Sequence, residues 1–64
     1  MTERTIMQEY EMLRDLVESV TDDVAKAVGG NKAAGTRVRK VMQDVKDAAQ
    51  GVRKKILEVR AETP

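Results

Sequence analysis

Apolar residues fall at Ile6, Tyr10, Leu13, Val17, Val20, Val24 and Ala27, alternately four and three positions apart. That spacing keeps one face of an α-helix apolar and is the heptad seam of coiled-coil packing. Met7, Leu16 and Val28 widen the seam on its flanks. The strict alternation of a half-buried strand is absent, so the pattern predicts a helix from about Glu3 to Val28. A second seam repeats the spacing at Val38, Met42, Val45, Ala49, Val52, Ile56 and Val59, with Ala34, Val41 and Ala48 in an overlapping row. It predicts a second helix from about Lys32 to Arg60. Each helix would be about 25 residues, or roughly 38 Å long.

Gly29-Gly30-Asn31 separates the two seams. Glycine just past the last apolar position ends a helix, because it takes the left-handed conformation at little cost. Asn31 can cap the next helix by accepting from a free backbone N–H. So short a connection forces the helices to lie antiparallel. The expected fold is all-α: residues 1–64 as a single domain, an antiparallel two-helix hairpin of coiled-coil type. The apolar face of the second segment is broader than one helix partner needs. Two hairpins are therefore expected to dimerise into a four-helix bundle. Its core would comprise Ile6, Tyr10, Leu13, Val17, Val20, Val24, Val38, Val41, Met42, Val45, Val52 and Ile56. Gly35 and Gly51 each lower helix stability by about 1 kcal/mol relative to Ala; either they permit close helix approach or they are tolerated. Ala61-Glu62-Thr63-Pro64 is expected to fray.

Composition supports self-association. A chain of 64 residues buries only about 60% of its unfolded surface and often needs a staple. It has no cysteine and no histidine, so disulfides and the usual soft or imidazole metal ligands are missing. Tyr10 is the single aromatic residue. No apolar run approaches the roughly 20 residues of a membrane span. No apolar stretch follows Met1-Thr2-Glu3-Arg4, so no signal peptide is expected, and the expected address is cytoplasmic. No glycine-rich phosphate loop, zinc-finger spacing or histidine base is present. The hydroxyls have no evident activating partner, and adjacent acids such as Asp22-Asp23 diverge on a helix. These features predict a binding or assembly module, with no enzymatic activity, cofactor, metal or small-molecule substrate.

The net charge of +1 hides a polarised chain. Residues 1–30 carry three basic and seven acidic residues, a net of −4, and residues 31–60 carry nine basic and three acidic, a net of +6. The acidic first half argues against a membrane-surface helix, which wants a basic polar face. In the second half Lys32, Arg39, Lys46, Arg53 and Arg60 recur every seven residues. Seven steps around a helix drift by only about 20°, so the five lie along one flank of the seam. Such a row can neutralise backbone phosphates without reading bases. It can equally form a salt-bridge ladder with Glu11, Asp15, Glu18 and Asp22 on the matching flank of the first helix. Arg37, Lys40, Lys54 and Lys55 lie elsewhere, partly mixed with Asp44, Asp47 and Glu58.

The stretch Gly30-Asn31-Lys32-Ala33-Ala34-Gly35-Thr36-Arg37-Val38-Arg39-Lys40 resembles the bacterial linker-histone-like proteins first described from chlamydiae. They carry a similar glycine-asparagine-lysine-alanine-alanine turn followed by arginines. The likeness continues more loosely through Ala48-Ala49-Gln50-Gly51-Val52-Arg53-Lys54-Lys55-Ile56. It covers about half the chain, mainly the turn and the second helix. The resemblance implies a nucleoid-associated protein that condenses DNA with little sequence preference. It places Lys32, Arg37, Arg39, Lys40, Arg53, Lys54 and Lys55 at basic positions of the family. The chlamydial proteins also carry a long lysine-, alanine- and proline-rich tail, which would supply much of the electrostatic affinity. Ending at Pro64 without it, this chain is expected to bind DNA weakly as a monomer. The alternative is a coiled-coil oligomerisation module that does not touch nucleic acid.

Overall fold

A computed structural model describes residues 4–62. Three helices follow one another: α1 (Ile6–Ser19), α2 (Thr21–Val28) and α3 (Lys32–Glu62). There is no strand among the described residues. The expected start near Glu3 lies outside the described residues. Among those described, the helix begins at Ile6 because Thr5 caps it: Thr5 Oγ1 accepts from the Gln8 N–H at 3.1 Å, and Gln8 Oε1 accepts from the Thr5 N–H at 2.9 Å. This reciprocal pair satisfies two N–H groups that the first turn would leave free.

The first seam does not form one unbroken helix. At Val20 the backbone turns to φ −104°, ψ 1°, and its N–H donates to Val17 O at 3.4 Å, a tightened last turn. Ser19 Oγ donates to Leu16 O at 2.7 Å, the local competition that serine offers a helix. Asp22 and Asp23 then open α2, where carboxylates favour the positive end of the helix dipole. The apolar period runs straight through this break, so the seam alone could not reveal it.

The turn resolves into two jobs held by two residues. Gly30, not Gly29, takes the left-handed conformation (φ 96°). Gly30 N–H donates to Ala27 O and Asn31 N–H to Lys26 O, each at 3.0 Å, the paired bonds of a Schellman ending. Asn31 Oδ1 accepts from the Ala34 N–H at 2.9 Å and starts α3. That helix continues past the expected end at Arg60 through Ala61 and Glu62; Thr63 and Pro64 lie outside the described residues.

α1 and α2 both pack on α3, and the chain measures 52 × 17 × 15 Å. The contacts run in opposite sequence directions. Asp23 meets Arg37 near the turn, and Glu9 lies by Gly51 far from it. The inner face of α1 and α2 is Ile6, Glu9, Leu13, Leu16, Val20, Asp23 and Ala27; that of α3 is Ala34, Val38, Val41, Val45, Ala48, Val52 and Lys55. Compared with the expected seams, α1 and α2 are turned by about 50°. Tyr10, Val17 and Val24 leave the helix contact, and Glu9, Leu16 and Asp23 enter it. On α3 the overlapping row of Ala34, Val41 and Ala48 goes inside in place of Met42 and Ile56. Among the described residues only Val20 and Ala34 are fully buried.

Candidate nucleic-acid interface

The contact between the helices has two rims. On one, Arg37 grips Asp23 at two points: Nε donates to Oδ2 at 3.0 Å and Nη2 to Oδ1 at 2.9 Å. The Arg37 hydrogen bond is the main cause holding the Asp23 carboxyl below its ordinary value; desolvation opposes it, and the charges of Arg37 and Lys26 reinforce it. The same bond raises Arg37. Two heptads away, the Glu9 carboxylate lies against Gly51, where an added Cβ would stand 3.0 Å from Glu9 Oε2. Arg4 Nη1 reaches Glu9 Oε1 at 3.9 Å.

The opposite rim carries Tyr10, Val17 and Val24 from α1 and α2, and Met42, Ala49 and Ile56 from α3. Each is rotated roughly 60–90° from the inner face of its helix, in the sense opposite to Asp23 and Arg37. In two helices running opposite ways, flanks of the same sense lie on the same side of the layer, so the six share one side. Apart from half-buried Ala49, all are between 38% and 49% exposed. They form a contiguous apolar strip, not scattered surface residues.

Just outside this strip, roughly 130° around α3 from the inner face, run Lys32, Arg39, Lys46, Arg53 and Arg60. All five are exposed. Among the described residues none of them has an ion-pair partner. The row spans about 42 Å at 1.5 Å per residue. It alternates with Gly35, Met42, Ala49 and Ile56, and the matching flank of α1 and α2 carries Met7, Tyr10, Arg14, Val17, Thr21, Val24 and Val28. Among the described residues neither flank holds a carboxylate. Arg14 does reach the neighbouring Asp15, at 3.4 Å.

The salt-bridge ladder considered from the sequence is not formed within the chain. Among the described residues, none of Glu11, Asp15, Glu18 and Asp22 pairs with Arg39, Lys46 or Arg53. The rotation of α1 and α2 is the reason, since it carries those acids toward the side turned from α3. The other candidate cations divide in two. Lys40 and Lys54 are exposed on the flank that also bears Asp44, Asp47 and Glu58. Arg37 is committed to Asp23, and Lys55, whose side chain is 16% exposed, reaches Glu58 at 3.5 Å.

Sequence reasoning missed Glu9 and Asp23 as contact residues. Their signal was the row 9, 16 and 23 running beside 6, 13 and 20, in which only Leu16 is apolar. Among the described residues no acidic cluster could hold a metal ion, and no helix is long and apolar enough to cross a membrane. A family model described as histone H1-like protein Hc1 matches residues 7–62. No curated protein and no solved structure matches the chain significantly.

Proposed function

Because the chain belongs to the histone H1-like protein Hc1 family, we propose that it is a nucleoid-associated protein that binds DNA with little sequence preference. The observation that carries this reading is the carboxylate-free flank of α3, with Lys32, Arg39, Lys46, Arg53 and Arg60 exposed and unpaired. Its length of about 42 Å matches about 12 base pairs of duplex at 3.4 Å each. Regularly spaced cations on a rigid rod suit phosphates, which fix position but carry no sequence. Lys40 and Lys54 are secondary contacts. Arg37 and Lys55 serve the fold first and contribute only where a phosphate displaces Asp23 or Glu58. The role is architectural, not enzymatic, and its place is the cytoplasmic nucleoid.

The protein acts in this reading as an antiparallel hairpin that pairs into a four-helix homodimer. Two fully buried residues among those described are a thin core for so short a chain, and the apolar strip offers the missing burial.

A mobility shift on duplex DNA at low salt tests the DNA reading, with Arg39→Glu/Lys46→Glu/Arg53→Glu beside the parent. The parent should shift DNA of unrelated sequences equally and lose binding steeply with salt. Losing three phosphate contacts flattens the log–log salt slope by roughly 2.7. Equal behaviour of the two proteins removes the row from the mechanism. Failure of the parent to shift DNA favours the second reading, an oligomerisation scaffold, which the exposed strip also supports.

A further inference from the structure

We propose that a second copy of this chain seats face to face on the open rim, with α3 of each copy lying over α1 and α2 of the other. The proposal rests on the reading of the chain as self-associating and adds the face and the orientation. The first support is area. A compact chain of 7.1 kDa exposes about 4,100 Å², whereas this one exposes 5332 Å². The excess, roughly 1,200 Å², exceeds the roughly 800 Å² that each partner buries in a standard interface. The apolar strip of Tyr10, Val17, Val24, Met42, Ala49 and Ile56 is where that excess is least suited to water.

Charge chooses the orientation. Stacking α3 on the partner's α3 would set two rows of five cations along one groove. Stacking α3 on the partner's α1 and α2 sets the basic row beside a flank whose one charge among the described residues is Arg14. Within one chain, residue 9 stands level with residue 51 and residue 23 with residue 37. A two-fold axis parallel to the helices preserves those levels between copies. The partner's Arg14 then stands level with Lys46, the partner's Thr21 with Arg39 and the partner's Met7 with Arg53. The two basic rows emerge on opposite long edges of the bundle, open to phosphates.

The chain has no cysteine, so single cysteines report the geometry directly. Val17 stands level with residue 43, one position from Met42, and faces the partner's Met42 in this arrangement. An equilibrated and oxidised mixture of Val17→Cys and Met42→Cys chains should yield the mixed disulfide dimer, and each variant alone little. Self-linked dimers without the mixed species would overturn the orientation. Charge gives a second readout, free of thiol geometry. Arg14→Glu, which sets an acid level with the partner's Lys46, should tighten association several-fold at low salt by sedimentation equilibrium, with helix content checked by circular dichroism. Adding Lys46→Glu to the same chain should cancel the gain. No tightening overturns the charge argument, and a parent that stays at 7.1 kDa at tens of micromolar overturns the pairing altogether. A mobility shift on that same monomeric sample separates the two readings, since a monomer that still shifts DNA leaves the DNA reading intact.

Discussion

On one rim of the helix contact Arg37 is spent on Asp23 and Glu9 lies over Gly51; on the other, Val17 and Met42 face water and five cations stand unpaired beside them. Both rims come from the same two heptad repeats. The closed rim satisfies itself within the chain, so its charges hold the fold and are poorly placed for a partner. The open rim has apolar area without cover and charge without counter-charge. Binding capacity in so small a chain lies where the fold leaves its own groups unmatched.

The largest effect expected from breaking this contrast is at Val20, the largest fully buried side chain, 2% exposed. Val20→Asp buries an unpaired carboxylate and should destabilise by about 3 kcal/mol or more, enough to abolish a cooperative thermal transition in circular dichroism. Val17→Asp, three residues away on the open rim and already 47% exposed, should keep the helical signal at low protein concentration. Equal losses in the two variants would mean that the rims are not different in kind.

The turn comes next. Gly30→Ala forces a Cβ into the left-handed region and should lower stability by about 1–2 kcal/mol in urea titration. Gly29→Ala should be close to neutral, because Gly29 has φ −77° and an added Cβ there meets only ordinary contacts from 3.5 Å.

The helix glycines sharpen the comparison further. Gly35 belongs to the open rim and has nothing within 4 Å of an added Cβ. Gly35→Ala should therefore stabilise the isolated chain by up to about 1 kcal/mol through helix propensity. Gly51 belongs to the closed rim, so Gly51→Ala must first displace the flexible end of Glu9 and should gain less. If Gly35→Ala raises the monomer's thermal midpoint yet weakens association, the glycine serves close approach between copies.

The hydrophobic period made the helices and the turn legible, but not their rotation. Between positions 10, 17 and 24 and positions 9, 16 and 23, the apolar spacing follows the first set and leaves only Leu16 of the second on its flank. The chain resolves that competition the other way, because Arg37 and Gly51 on α3 accommodate the two carboxylates: one by pairing, the other by leaving room. No single-helix pattern encodes a partner on the other helix. The cap was legible and overlooked, since Thr5 followed by Gln8 three residues later is a capping box. The basic row was visible as a seven-residue repeat. That it stands unpaired depends on the rotation, which only the packed pair reveals.

The smallest expected effect is the most selective for the closed rim. Arg37 holds the Asp23 carboxyl below its ordinary value, so the folded chain binds that proton less readily than the unfolded one. Stability from the pair is then complete above the unfolded carboxylate value of about 3.9 and fades as pH falls through the lower, folded value. Thermal midpoints should be read as the difference between the parent and Asp23→Asn, which isolates this carboxylate. That difference should be steady from pH 7 to pH 5 and shrink below about pH 4. The pair is partly exposed, with Asp23 at 23% and Arg37 at 52%, so the difference should also narrow as salt is raised. A difference that holds unchanged down to pH 2 would show that Asp23 closes the rim by packing, not by its charge.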